Sequence, residues 1–223
     1  TQLRREFVGL VGFQNAGYLP LTLFSWIAPR EYRDILLIYL FLFLLGFNLV
    51  IWSWGVCFLS GSKLKTFSLA SLFSPPVVAI LAGFVFVSLK LNAFVPKFIL
   101  SPIELLGNCS FPLAVVVVGA TLAELGARRP LKKMIISKLI LAKLIVLPML
   151  GLLFISFFRL PPLLGLLIII ELAVPSANSL AVIARRYSEE EKIISQGIFI
   201  SHLVSLVTLP VFLVLFNWLS LSR

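Results

Sequence analysis

The residues able to do chemistry in this chain are few, and two groups of them interrupt otherwise apolar stretches. Glu171-Leu-Ala-Val-Pro-Ser-Ala-Asn178 lies inside the run 163–184, which is long enough to cross a bilayer. Pro175 cannot donate a backbone hydrogen bond, and its ring clashes with the preceding turn, so a helix breaks there. Gln14-Asn-Ala-Gly-Tyr-Leu-Pro20 interrupts the run 4–28 in the same manner. In hydrocarbon a freed amide or carbonyl costs several kcal/mol, so irregular backbone survives only where protein buries it or a polar cavity borders it. Two broken spans in corresponding places point to a transporter site. Each half-helix that starts at a break has unpaired amides and about half a positive charge at its end. Two such ends can hold a carboxylate without any arginine.

The side chains around the breaks have distinct candidate roles. Gln14 and Asn15 offer amides at the first break, and Pro20 suits the first turn of the half-helix that follows. Ser176 or Asn178 can cap the second half-helix or donate to a ligand. Glu171 lies one turn before Pro175 on the same face. An acid at that depth either binds a proton exchanged during transport or pairs with a lysine. Lys143 is the candidate partner, unless it snorkels to the membrane surface. His202, beside Ser201 and Ser205, either titrates near neutral pH or is a satisfied structural histidine. Asn108 and Ser110, next to Pro112, form a polar patch that faces the site or merely packs. Residues of all these types also cap and kink ordinary membrane helices.

The elements that must position these residues follow from composition. Of 223 residues, 60% are hydrophobic and 13% charged, against about a quarter charged in a soluble domain. The chain is an all-α integral membrane protein. The net charge of +10 does not mark a nucleic-acid binder, because the basic residues sit at the ends of apolar runs. Cys57 and Cys109 lie within such runs and suggest neither a disulfide framework nor a metal site. Seven spans are expected, at 4–28, 35–60, 73–89, 102–125, 134–158, 163–184 and 193–219. Pro148 should kink the fifth, Pro161-Pro162 should make a tight connection, and Ser188-Glu-Glu-Glu191 signals the start of the last helix.

Orientation follows from the positive-inside rule. Arg4, Arg5, Lys63, Lys65, Arg128, Arg129, Lys132, Lys133, Arg185, Arg186 and Lys192 fall on one side. Arg30, Arg33, Lys90, Lys97, Arg159 and Arg223 fall on the other. The first side should be cytoplasmic and the C-terminus extracytoplasmic. The arrangement of 4–60, a broken span, a charged loop and a plain span, recurs at 163–219 with opposite entry into the membrane, which is an inverted repeat. Residues 1–60 would be the last two spans of a first repeat, 61–72 a cytoplasmic linker, and 73–223 a complete five-span second repeat. On this scheme seven of an expected ten spans are present, and about three, on the order of ninety residues, would precede Thr1.

The chain carries no His-Glu-x-x-His pair, no Gly-x-Ser-x-Gly elbow and no phosphate loop, so an enzyme is not expected. No cofactor is expected either. The residues instead carry a resemblance. Gly12-Phe-Gln-Asn-Ala-Gly-Tyr-Leu-Pro-Leu21, which includes Gly17, resembles the first crossover of the auxin efflux carrier family, whose plant members are the PIN proteins. Leu106-Gly-Asn-Cys-Ser-Phe-Pro-Leu-Ala114 with Gly119-Ala-Thr-Leu-Ala123 is similar to that family's proline-bearing middle span. Glu171 to Asn178, followed by Ala181 to Tyr187, resembles the second crossover. The resemblance implies ten spans in two inverted five-helix repeats, with crossing broken helices at the site. It implies export or exchange of a small organic anion, auxin-like or malate- or malonate-like, by alternating access. The absence of a long loop between the second and third spans resembles the compact bacterial-type members, in the plasma or inner membrane. Because the chain starts at the family's fourth span, site residues on the first three cannot be assigned. A sodium-coupled carrier of the wider bile-acid type and a non-transporting membrane scaffold are the alternatives. Proton or sodium coupling and a homodimer through the second span are compatible with either transport reading.

Overall fold

The computed structural model describes residues 2–60, 75–125, 133–187 and 191–221. The linker at 61–72 and the basic loop at 127–132 lie outside these, as does most of the helix start signal at 188–191. Among the described residues the chain is helical nearly throughout, and its single β-type contact is a bridge between Gln14 and Ser176.

The first expected span is two helices, α1 (Gln2–Gly12) and α2 (Tyr18–Ile27). Pro29 starts α3 (Arg30–Val50), which continues as a π-helical turn at Ile51–Gly55 and a last α-helical turn at Val56–Ser60. Helix α4 is described from Pro75 and ends at Ser88 (Pro75–Ser88). The chain then turns through a left-handed Lys90 and a 3-10 turn at Leu91–Phe94. Helix α5 (Lys97–Leu125) begins earlier than the expected residue 102. Pro96 ends the connection by accepting from Ile99 and Leu100, so Pro102 lies inside the helix rather than at its start.

Helix α6 (Lys133–Ile140) runs into a π segment at Leu141–Val146 and resumes as an α-helix at Leu147–Phe158. The irregularity expected at Pro148 thus falls just before it. The ring removes a donor and crowds the carbonyl of Leu144, and a π turn relieves that crowding by changing the bonding register. Arg159 in the left-handed conformation closes this rod, and Pro161 caps the next helix, as the tight connection required. Helix α7 (Pro162–Ala173) stops at Val174, whose extended backbone is what the residue before a proline prefers. Helices α8 (Ser179–Tyr187) and α9 (Glu191–Leu221) complete the chain. Arg30–Leu59, Met134–Phe158 and Ile193–Ser220 are each long and apolar enough to cross a membrane unbroken.

Two apolar cores lie on opposite sides of the breaks. One joins α1, the end of α3, α8 and the first half of α9 through Leu10, Phe13, Leu59, Leu180 and Ile198. The other joins α2, the first half of α3, α7 and the second half of α9 through Phe24, Leu36, Leu40, Ile170 and Phe216. Close approach of helices is made possible by glycine. A Cβ on Gly197 would collide with Leu10 of α1, and one on Gly165 would sit 3.0 Å from Phe216 and 3.2 Å from Ile155. Outward faces rich in Phe, Leu and Val remain exposed, for example Phe157, Leu206 and Trp218. Lipid rather than water is the medium that suits them.

Candidate functional site

The two breaks meet. The backbone N–H of Asn15 donates to the carbonyl of Pro175 at 2.8 Å, and the N–H of Ala177 donates to the carbonyl of Phe13 at 3.0 Å. These bonds make Gln14 and Ser176 an isolated antiparallel pair. Here the freed backbone groups find partners in each other, which is how an interrupted helix is tolerated in hydrocarbon. The register fits the proline: Pro175 supplies only a carbonyl, the one group it has to offer.

Helix α2 starts at Tyr18 and helix α8 at Ser179, so two helix N-terminal ends begin within a few residues of the crossing. Pro20 is buried in the first turn of α2, as its fixed φ allows. Gly17 precedes α2 with φ −101° and ψ −67°, and a Cβ there would meet only Leu44 Cδ2 at 3.7 Å. Neither conformation nor crowding therefore demands glycine at 17.

The side chains divide into saturated and unsaturated groups. Ser176 is fully buried; its hydroxyl donates to the carbonyl of Leu10 at 2.7 Å, and its N–H donates to Ser201 Oγ at 3.2 Å. It stitches the second break to α1 and α9 and caps nothing. Asn15 is buried, and its Nδ2 lies 3.1 Å from His202 Nε2. Gln14 Nε2 donates to Glu171 Oε2 at a long 3.5 Å. Asn178 is 8% exposed, and neither its amide nitrogen nor its amide oxygen has a hydrogen-bond partner among the described residues. It does not cap α8 through its side chain. Glu171 Oε1 is likewise buried without a partner among the described residues.

Lys143 lies in the π segment of the α6 rod and is 1% exposed. It does not snorkel. It and Glu171 attract one another, but no ion pair joins them among the described residues, and Glu171 accepts its hydrogen bond from Gln14. Asn108 departs from expectation. It is exposed on α5, as is Ser110, whose hydroxyl returns to the carbonyl of Leu106 within its own helix. The patch beside Pro112 takes no part in the crossing.

Sequence reasoning passed over Ser201 as a ligand of the break and did not single out Ser195 and Gln196, both buried on α9. A usable signal existed: the polar positions 195, 201, 202 and 205 recur at helical spacing on one face of an otherwise apolar span. His202 sits in that stripe. No metal-binding cluster of His, Cys, Asp or Glu occurs among the described residues.

The sequence model of a family described as membrane transport protein matches residues 59–213. No curated protein and no solved structure matches the chain.

Proposed function

The chain belongs to the membrane transport protein family, which includes the auxin efflux carriers, and from that premise we propose that it is a secondary transporter that exports or exchanges a small organic anion at the crossing of its two breaks. The observation that carries the reading is Asn178: a buried amide with no hydrogen-bond partner among the described residues, beside the first residue of α8 and next to the paired backbones. An unpaired buried amide costs about 1–3 kcal/mol, and a bound carboxylate, accepting from Nδ2, would relieve the donor half of that cost. The N-terminal ends of α2 and α8 would add favourable charge. Asn15, Gln14 and Pro175 frame the same place, while Ser176 serves it structurally. An inverted repeat of 4–60 and 163–219 would relate the two cores on either side of the crossing.

The test is counterflow of radiolabelled malonate and indole-3-acetate in proteoliposomes. Flux in the wild type that disappears in Asn178→Ala and Pro175→Ala, with expression and monodispersity intact, is the expected result. Normal flux in both variants would remove the site. Repeating the assay without sodium separates this reading from the sodium-coupled carrier, which would fall silent. Cysteine labelling near Leu221 tests the extracytoplasmic placement of the C-terminus.

A further inference from the structure

His202 is held at both ring nitrogens. Nδ1 lies 2.8 Å from the carbonyl oxygen of Ile198, one turn back, and Nε2 lies 3.1 Å from Asn15 Nδ2. A carbonyl oxygen only accepts, so Nδ1 carries the hydrogen. An amide nitrogen only donates, so Nε2 carries the lone pair. With the Asn15 amide placed this way, His202 is the neutral Nδ1–H tautomer. This fixes Asn15 in turn. Its amide nitrogen is committed to the imidazole, which leaves its Oδ1 as the atom it can present to a ligand.

A proton on Nε2 reverses that arrangement. Two N–H groups cannot bond to each other, so the Asn15 amide must turn over, with Oδ1 accepting from the imidazolium and Nδ2 taking the vacated place. The turn is about a terminal, two-fold torsion and needs no backbone movement. The Asn15 backbone is pinned independently by its bond to Pro175, and the bond from Nδ1 to Ile198 persists in both states. We propose that His202 is the proton-coupling residue of the crossing and acts by turning the Asn15 amide. With the proton on, Asn15 offers N–H donors to a carboxylate; with it off, Asn15 offers an oxygen that repels one. One proton, taken from water, then binds with each carboxylate. His202 is a positioning residue here, since Asn15 and not the imidazole meets the ligand. The inference rests on the reading of the crossing as an organic-anion site.

Helix α9 packs against α1, α5, the α6 rod with its π segment, α7 and α8. The titratable groups buried on those elements, among the described side chains, are Glu6, Lys143 and Glu171. Arg4, Lys97, Glu104, Lys138 and Arg159 on the same elements are exposed, and Arg5 is half-exposed.

The chain contains one histidine, which permits a direct test. The purified protein is labelled with ¹⁵N-histidine in lipid nanodiscs, and the resonances lost in His202→Gln are assigned to His202. The expected spectrum is the Nδ1–H tautomer without ligand and the imidazolium once malonate saturates. Malonate affinity should strengthen as the pH falls, by at most about tenfold per unit for one linked proton, and this dependence should be lost in His202→Gln. An Nε2–H tautomer, or a ring still neutral at saturating malonate, would overturn the proposal without any variant having to fold. Binding with the same pH dependence in wild type and His202→Gln would overturn the coupling alone. If malonate, malate and indole-3-acetate all fail to bind the wild type at every pH, the anion reading falls and the coupling with it.

Discussion

At the first break both polar side chains are occupied, Gln14 by Glu171 and Asn15 by His202. At the second break Ser176 is saturated by α1 and α9, yet Asn178, two residues further on, holds no partner among the described residues. The backbones are treated alike, since each break donates one N–H to the other's carbonyl. The difference lies in what the side chains are for. A group saturated by the protein fixes geometry; a buried group left unsaturated carries a standing cost that a ligand can relieve. On the proposed reading the first break is the adjustable wall, set by its neighbours on α7 and α9, and the second supplies the open amide.

The largest effect should come from separating the charges that stand behind the first break. Lys143→Met removes the cation that attracts Glu171 and should lower stability by up to about 3 kcal/mol. The double variant Lys143→Met with Glu171→Gln should recover most of that, as read by thermal unfolding in detergent. No recovery would mean the two groups are not coupled. Next, Asn178→Ala should weaken carboxylate affinity by about tenfold to a hundredfold, the range for hydrogen bonds to a charged group, while leaving unfolding temperature level or higher, because an unsatisfied group is removed. A loss of stability would instead make Asn178 structural, like Ser176. Ser176→Ala should show the opposite split. It should destabilise by about 1–3 kcal/mol, because the Leu10 carbonyl is left buried and unpaired, and affinity should change less than in Asn178→Ala. Gly197→Ala, which pushes Leu10 and α1 away from α9, should cost about 1–3 kcal/mol and broaden the His202 resonance by loosening the crossing. The smallest effects are expected at Gly17→Ala and Asn108→Ala, within about 0.5 kcal/mol and with unchanged flux. A strong flux defect in Asn108→Ala would return α5 to the site.

The breaks were legible because proline and glycine act locally. Pro175 ends α7 whatever surrounds it, and Pro20 finds its place in the first turn of α2 for the same reason. The expectation that Lys143 and Glu171 lie at depth rests on the cost of charge in an apolar run, and both are buried, but Glu171 takes its hydrogen bond from Gln14. Asn108 misled, since an asparagine beside a proline in an apolar helix reads the same whether it faces a site or the outside. Periodicity on α5 did not separate the two, because that helix is apolar all round. The π segments at 51–55 and 141–146 were legible only in part: Pro148 signalled trouble, but its position does not say how the turn before it will rearrange.

The sequence by itself determined the membrane class, the two interruptions and the short roster of polar residues at depth, all of which follow from local sterics and from the cost of charge in hydrocarbon. Only the tertiary structure decided that Asn15 meets Pro175 and His202, that Gln14 rather than Lys143 donates the hydrogen bond to Glu171, and that Asn178 has no partner among the described residues. Those pairings join residues more than 150 positions apart. They depend on the depth at which two helices cross, to within a fraction of a turn. That depth is set by packing, at Gly197 against Leu10 and at Gly165 against Phe216, and no spacing along the chain encodes it.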